Sequence, residues 1–125
     1  MLSIHQDTHP GDIVVCRAIG ELDAFTVSHL REALAELSVS PRLVIDLSGV
    51  TFVDSAGLGA LIGGIRRTRE MGGDVAVACD RPVLIRLLRT TGFDRIVALA
   101  ETLDEAAWLL DPRVKIPDIP GSLGP

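Results

Sequence analysis

The run Leu43 to Leu47, Leu-Val-Ile-Asp-Leu, is apolar at all but one position and lacks the alternation that leaves one face of a strand wet. A strand of that kind has to be covered on both sides, so in a chain of 125 residues it calls for helices packed on a largely parallel sheet. The residues that follow, VTFVDSAGLGALIGG from Val50 to Gly64, change to helical spacing at Ser55. The chain therefore turns around a strand-to-helix junction with a serine at its centre. The first amides of such a helix have no intrahelical acceptor and the aligned peptide dipoles leave partial positive charge there. A serine oxygen, a carboxylate or a phosphate is accepted at that point.

The rest of the chain supplies the partners this strand needs. Leu2 to Gln6 and Ile13 to Ile19 read as strands joined by the turn His9-Pro10-Gly11-Asp12, an antiparallel opening hairpin. Val27, Leu30, Leu34 and Leu37 then form one face of a first helix, which Ser40-Pro41 ends. A second helix is predicted over Ser55 to Met71, with Leu58, Leu61, Ile62 and Ile65 inward and Gly72-Gly73 closing it. Asp74 to Cys79 follows as a strand. Asp80 is then expected to cap a third helix, with Pro82 in its first turn and Val83, Leu84, Leu87, Leu88 and Thr91 inward. Arg95 to Leu99 reads as a short strand. Thr102-Leu103-Asp104-Glu105 matches a capping box before a last helix that faces Leu103, Ala106, Ala107 and Leu110 inward. The order ββαβαβαβα predicts a single α/β domain over residues 1–110. Its mixed sheet has about five strands, an opening hairpin and then parallel strands, with about four helices. From Asp111 the chain is rich in proline and glycine, and 111–125 is expected to be an extended or disordered tail.

Composition removes several classes of function. A net charge of -5, with Lys115 as the sole lysine, provides no basic surface for nucleic acid, and 3% aromatic content supplies few stacking platforms for bases. No apolar run approaches the roughly 18 residues of a membrane span and no signal-peptide pattern opens the chain, so a soluble, cytoplasmic protein without a membrane partner is expected. Cys16 and Cys79 each fall in a predicted strand; they read as small buried hydrophobes, with a redox pair as the alternative. No cysteine-histidine cluster suggests a metal, and no cofactor is expected.

Glycine is concentrated in the second helix at Gly57, Gly59, Gly63 and Gly64, where each costs roughly 1 kcal/mol relative to alanine. Close packing is the reading for Gly63 and Gly64. Approach of a partner to the serine is the reading for Gly57 and Gly59. A nucleotide loop fits poorly, because GxGxxxG misses the dinucleotide spacing and the lysine of a P-loop is missing. A nucleophilic Ser55 lacks the first glycine of GxSxG, and its only candidate bases, His5, His9 and His29, read as exposed turn or helix-surface side chains. Asp54 and Asp23 read as helix caps, and share a surface with Ser55 if the first two helices start on the same sheet edge. Arg66, Arg67 and Arg69 suit the negative end of the second helix or a docking patch.

The run DLSGVTFVDSAGLGALIGGIRR from Asp46 to Arg67, with Gly-Glu-Leu-Asp at 20–23 and RLLRTTGFDRI at 86–96, resembles the bacterial anti-sigma factor antagonists of the STAS domain family over roughly residues 10–110. The resemblance implies a regulatory protein and not an enzyme. It implies phosphorylation of Ser55 by an anti-sigma factor that is also a serine kinase, with binding of that partner before modification and resetting by a serine phosphatase. Docking is implied at Asp23, Asp54, Ser55, Ala56, Gly57, Leu58 and Gly59, and the chain is expected to be a monomer or weak dimer. Many members carry a second serine where this chain has Ala56, which leaves one acceptor. The alternative within the family is a STAS scaffold subunit of a larger stress-sensing or transport assembly, with Ser55 only a cap.

Overall fold

The computed structural model describes residues 1–114. Its elements run β1 (Leu2–His9), β2 (Ile13–Leu22), α1 (Val27–Leu37), β3 (Arg42–Val53), α2 (Ser55–Glu70), β4 (Asp74–Ala78), α3 (Pro82–Thr90), β5 (Ala98–Ala100) and α4 (Leu103–Leu110). The five strands lie in the order β1-β2-β3-β4-β5, with β1 antiparallel to β2 and every other pair parallel. The predicted element order and mixed sheet are both present. Gly11 and Asp12, at φ 94° and 60°, make the hairpin turn in the left-handed region, which glycine enters freely and aspartate tolerates.

β3 is the middle strand and is buried from Leu43 to Leu47 on both faces. Leu43, Ile45 and Leu47 point into one core with Leu30 and Leu34 of α1, Leu61 and Ile65 of α2 and Leu84 and Leu88 of α3. Val44 points the other way, into a smaller core of Ala76, Ala78, Ala100, Ala106, Ala107 and Leu110. Three helices thus cover one face, while α4 lies alone on a bed of alanines. Asp46 breaks the apolar run yet is 6% exposed. It accepts from Arg17 Nε at 3.2 Å and from the Ser48 amide at 3.0 Å, so the carboxylate is paired where burial would otherwise be costly.

Several expectations are corrected. β2 and β3 run past their predicted ends, because they pair with each other up to Leu22 and Val53. Asp80 does not cap α3: Arg81 is the N-cap, without a side-chain cap, and Pro82 removes one amide that would need an acceptor. Only Leu84 and Leu88 of α3 are buried, since this short helix touches the core along a single row, leaving Val83, Leu87 and Thr91 exposed. Leu58 and Ile62 are half-buried, because Gly57 and Ala60 bring α2 onto its neighbours instead. The strand expected over Arg95–Leu99 begins later. Gly92, at φ 80°, ends α3 and a 3-10 turn, Phe93–Arg95, seats Phe93 in the core before β5. Thr102 caps α4 as predicted, accepting from the Glu105 amide at 3.0 Å. Pro112–Val114 form a 3-10 turn, and the remainder of the expected tail, 115–125, lies outside the described residues.

Cys16 and Cys79 are free and buried, Cys79 lying just beyond β4. Burial pushes the Cys16 thiol up to about 11, so it stays protonated and unreactive near neutral pH. No helix among the described residues is long and apolar enough to cross a membrane.

Candidate functional site

β3 delivers its last residue to a turn that is fixed from two directions. The Asp54 amide donates to the Leu22 carbonyl at 3.1 Å, which extends the β2–β3 pairing by one step. The Asp54 carboxylate then splits its oxygens. Oδ1 accepts from the Gly57 amide at 2.9 Å, capping α2, and Oδ2 accepts from the Ala24 amide at 3.1 Å, reaching across to the loop before α1. One side chain therefore ties the starts of α1 and α2 together. Asp23, in that loop, is fixed as well: its Oδ1 accepts from the Phe25 amide at 2.9 Å and the Thr26 amide at 3.1 Å. The sequence-level reading of Asp54 as a cap is correct. Asp23 instead closes a turn one step earlier, with Thr26 as the α1 N-cap.

Ser55 is the first residue of α2 and is exposed; Asp54 and Asp23 are half-buried beside it. The Ala24–Asp54 bond brings the loop that carries Asp23 to the turn that carries Ser55. The first turn of α2 carries no acidic residue of its own, and the last turn carries the basic Arg67 and Arg69. Arg69 is committed there, donating to the Ile96 carbonyl. The hydroxyl of Ser55 thus stands at the positive end of a 16-residue helix with two carboxylates already engaged close by.

The glycines divide differently from the expectation. Gly57 is buried, and an added Cβ would lie 2.5 Å from the Leu22 carbonyl oxygen and 2.7 Å from Leu22 Cγ. Its role is packing against β2, so partner approach does not account for it. Gly64 packs as predicted, with Leu34 Cδ1 at about the same range, 2.4 Å from an added Cβ. Gly63 does not: an added Cβ there, as at Gly59, would meet nothing within 4 Å. Ser55, Gly59 and Gly63 are four residues apart and so lie on one helix face. The two bare positions line a trough of about 160 Å³ between α1 and α2, flanked by Arg31 and Arg67. Because neither glycine serves packing, Gly59→Ala and Gly63→Ala should each raise unfolding stability by about 0.5–1 kcal/mol in urea titration. An unchanged or lowered midpoint would mean that the bare backbone has a structural reason.

Of the residues expected to dock a partner, Ser55 and Gly59 are exposed, Asp23, Asp54, Ala56 and Leu58 are half-buried, and Gly57 is buried. Sequence reasoning passed over two aromatic residues at this rim. Phe25, 94% exposed, adjoins Ala24, and Phe52, 49% exposed, precedes Asp54 by two positions. The chain has three phenylalanines, one tryptophan and no tyrosine, so two of its four aromatic residues are these. Among the described residues no group of three or more histidine, cysteine or acidic side chains is placed to hold a metal. His9 bonds Asp104 at 3.1 Å at the opposite end of the sheet from Ser55.

A mixed sheet of this order, with a capped and glycine-rich α2 opening on a serine, defines a small α/β domain. The chain belongs to the STAS domain family, whose sequence profile matches residues 5–106. It is 33% identical over 96 residues to an anti-sigma-B factor antagonist of Listeria monocytogenes, covering 75% of this chain and 82% of that protein. It is 32% identical over 102 residues to an anti-sigma F factor antagonist of Paenibacillus polymyxa, covering 78% and 86%. The crystal structure of an anti-sigma factor antagonist from Mycobacterium paratuberculosis superposes with a TM-score of 0.80 at 29% identity, over 88% of this chain and 94% of that one.

Proposed function

We propose that this protein is an anti-sigma factor antagonist controlled by phosphorylation of Ser55. The unmodified form docks an anti-sigma factor that is also a serine kinase and so frees the sigma factor; the modified form does not dock, and a serine phosphatase restores it. The observation that carries this reading is the setting of Ser55, an exposed hydroxyl on the first turn of α2 beside the fixed carboxylates of Asp54 and Asp23. A phosphate adds about -1.5 to -2 charges. The helix terminus tolerates that charge, so the fold is kept, whereas a partner surface matched to a neutral hydroxyl meets bulk and repulsion. The names of the relatives support the sigma-factor context.

Phe25 and Phe52 are the anchors this reading assigns to the partner, since exposed aromatics supply most interface energy. The bare track from Ser55 through Gly59 and Gly63 admits its backbone. Incubation with the cognate anti-sigma factor and ATP, followed by mass spectrometry, is expected to place a single phosphate on Ser55. A phosphate that persists in Ser55→Ala would refute the assignment.

A further inference from the structure

The two edges of the sheet are unequal. β5 presents three residues at one edge, and an edge that short is itself protected against strand addition. β1, at the other, runs for eight residues in continuous register with β2, with no proline, lysine or bulge along it, and His5, Gln6, Asp7 and Thr8 are exposed. Those are the usual devices by which an edge is closed to a further strand, and β1 carries none of them.

The pairing with β2 fixes which backbone groups of β1 are free. The Glu21 amide donates to the Met1 carbonyl at 3.1 Å, while the carbonyls of Gly20 and Leu22 accept from the Thr51 hydroxyl and the Asp54 amide, on the β3 side. Odd-numbered residues of β1 therefore exchange hydrogen bonds with odd-numbered residues of β2, and the N–H and C=O groups of Ile4, Gln6 and Thr8 point out from the edge. Among the described residues no backbone group pairs with them.

A second β1, antiparallel across a two-fold axis, reaches these groups only where even residues face even residues. The charges then select the register. An axis at His5 sets imidazole against imidazole, and an axis at Asp7 sets carboxylate against carboxylate. An axis at Ile4 overlaps only residues 2–6 and leaves Asp7 outside the pairing. An axis at Gln6 sets Ile4 against Thr8 and Gln6 against Gln6, and it brings His5 opposite Asp7 on both sides. That pair falls at non-hydrogen-bonded positions, where facing side chains approach most closely and opposite charges stabilise the pairing. Asp7 lies 3.9 Å from Arg17 of its own chain, beyond hydrogen-bond reach, so its carboxylate has room for an imidazole donor.

We infer that β1 binds a second copy of this chain, the two edges pairing antiparallel about Gln6 with His5 of each copy against Asp7 of the other. The contact uses the β1 edge of both copies, so the assembly closes at two. The inference is independent of the role of Ser55.

Hydrogen exchange of the full chain, followed by NMR at about 50 μM and about 1 mM, reads the free edge directly. The Ile4, Gln6 and Thr8 amides should slow by about fivefold or more at the higher concentration, while the Ser3, His5 and Asp7 amides, already bonded to β2, should change little. Sedimentation should show the mass doubling over the same range. His5→Glu and Asp7→Lys, both at exposed positions, should each weaken self-association at least about tenfold, by facing like charges or losing the acceptor. An equimolar mixture of the two variants should recover the pairing, because the introduced glutamate then meets the introduced lysine while a native His5 meets a native Asp7. The inference is overturned by a chain that stays monomeric with those three amides open at 1 mM, as it would if the edge served only a foreign strand. A dimer in which they still exchange freely, variants that associate like the parent, or a mixture that fails to recover would also overturn it.

Discussion

Ser55→Glu will melt with the parent chain and will fail to bind the anti-sigma factor that the parent binds. Both halves of that result come from one location. A carboxylate on the first residue of α2 faces the positive end of the helix, where an acidic group stabilises by about 0.3–1 kcal/mol at an exposed site. Asp54 and Asp23 oppose part of that gain, which is why the melting temperature is expected to hold and not to rise. For the docked partner no such compensation exists. Placing a like charge against an interface costs several kcal/mol, and since each 1.4 kcal/mol is tenfold, affinity should fall by on the order of a hundredfold or more. Ser55→Ala keeps the neutral, small surface and should bind near parental affinity while accepting no phosphate. Isothermal titration with the partner, alongside thermal melts of all three proteins, separates the outcomes. An unfolded Ser55→Glu would defeat the helix-terminus argument, and a tightly binding one would defeat the switch.

The second large effect concerns the scaffold that holds the serine in place. Gly57→Ala puts a methyl 2.5 Å from the Leu22 carbonyl oxygen. That oxygen cannot yield freely, because it accepts the Asp54 amide that joins β2 to the turn. Overpacking of this kind costs about 1–3 kcal/mol. The strain falls on the two bonds that bring the starts of α1 and α2 together, so phosphorylation at Ser55 should also slow, although the hydroxyl itself is untouched. The contrast with Gly59→Ala is informative. The same methyl is added two residues away, yet one variant should lose stability in urea and the other gain it. Equal behaviour of the pair would show that the contact with Leu22 is not limiting.

Much of the fold was readable because its helices carry strong periodicity. Val27, Leu30, Leu34 and Leu37 line one buried face of α1, and the run of β3, apolar at all but Asp46, demanded cover on both sides. Asp54 was legible as a cap because N-capping is local chemistry. What failed was whatever depended on a neighbour distant in sequence. Asp80 looks like a cap by type, but Pro82 and the path of the chain make Arg81 the N-cap. Neither Gly57 nor Gly63 shows in sequence what stands beside it, and the location of Leu22 decides that the first packs, while the second meets nothing. The Arg17–Asp46 pair lies across two strands, so nothing near either residue announced it. Asp46 merely interrupted a hydrophobic pattern. At Ser55 the strand-to-helix junction was legible from sequence, whereas the exposure of Phe25 was not, because an aromatic in a loop has no periodicity to betray it.

The order of strands in the sheet also bears on how the protein is made. Each strand lies beside the one synthesised just before it, from β1 at one edge to β5 at the other. During synthesis no strand has to hold open a gap for a later neighbour, and loop closures stay short, which favours quick pairing. By the time Val53 leaves the ribosome, the hairpin and the central strand have all emerged, and the turn bearing Ser55 has its β-sheet support before the residues of the later strands emerge. The end of the molecule that bears Ser55 is thus assembled early, and α4 closes the opposite face last.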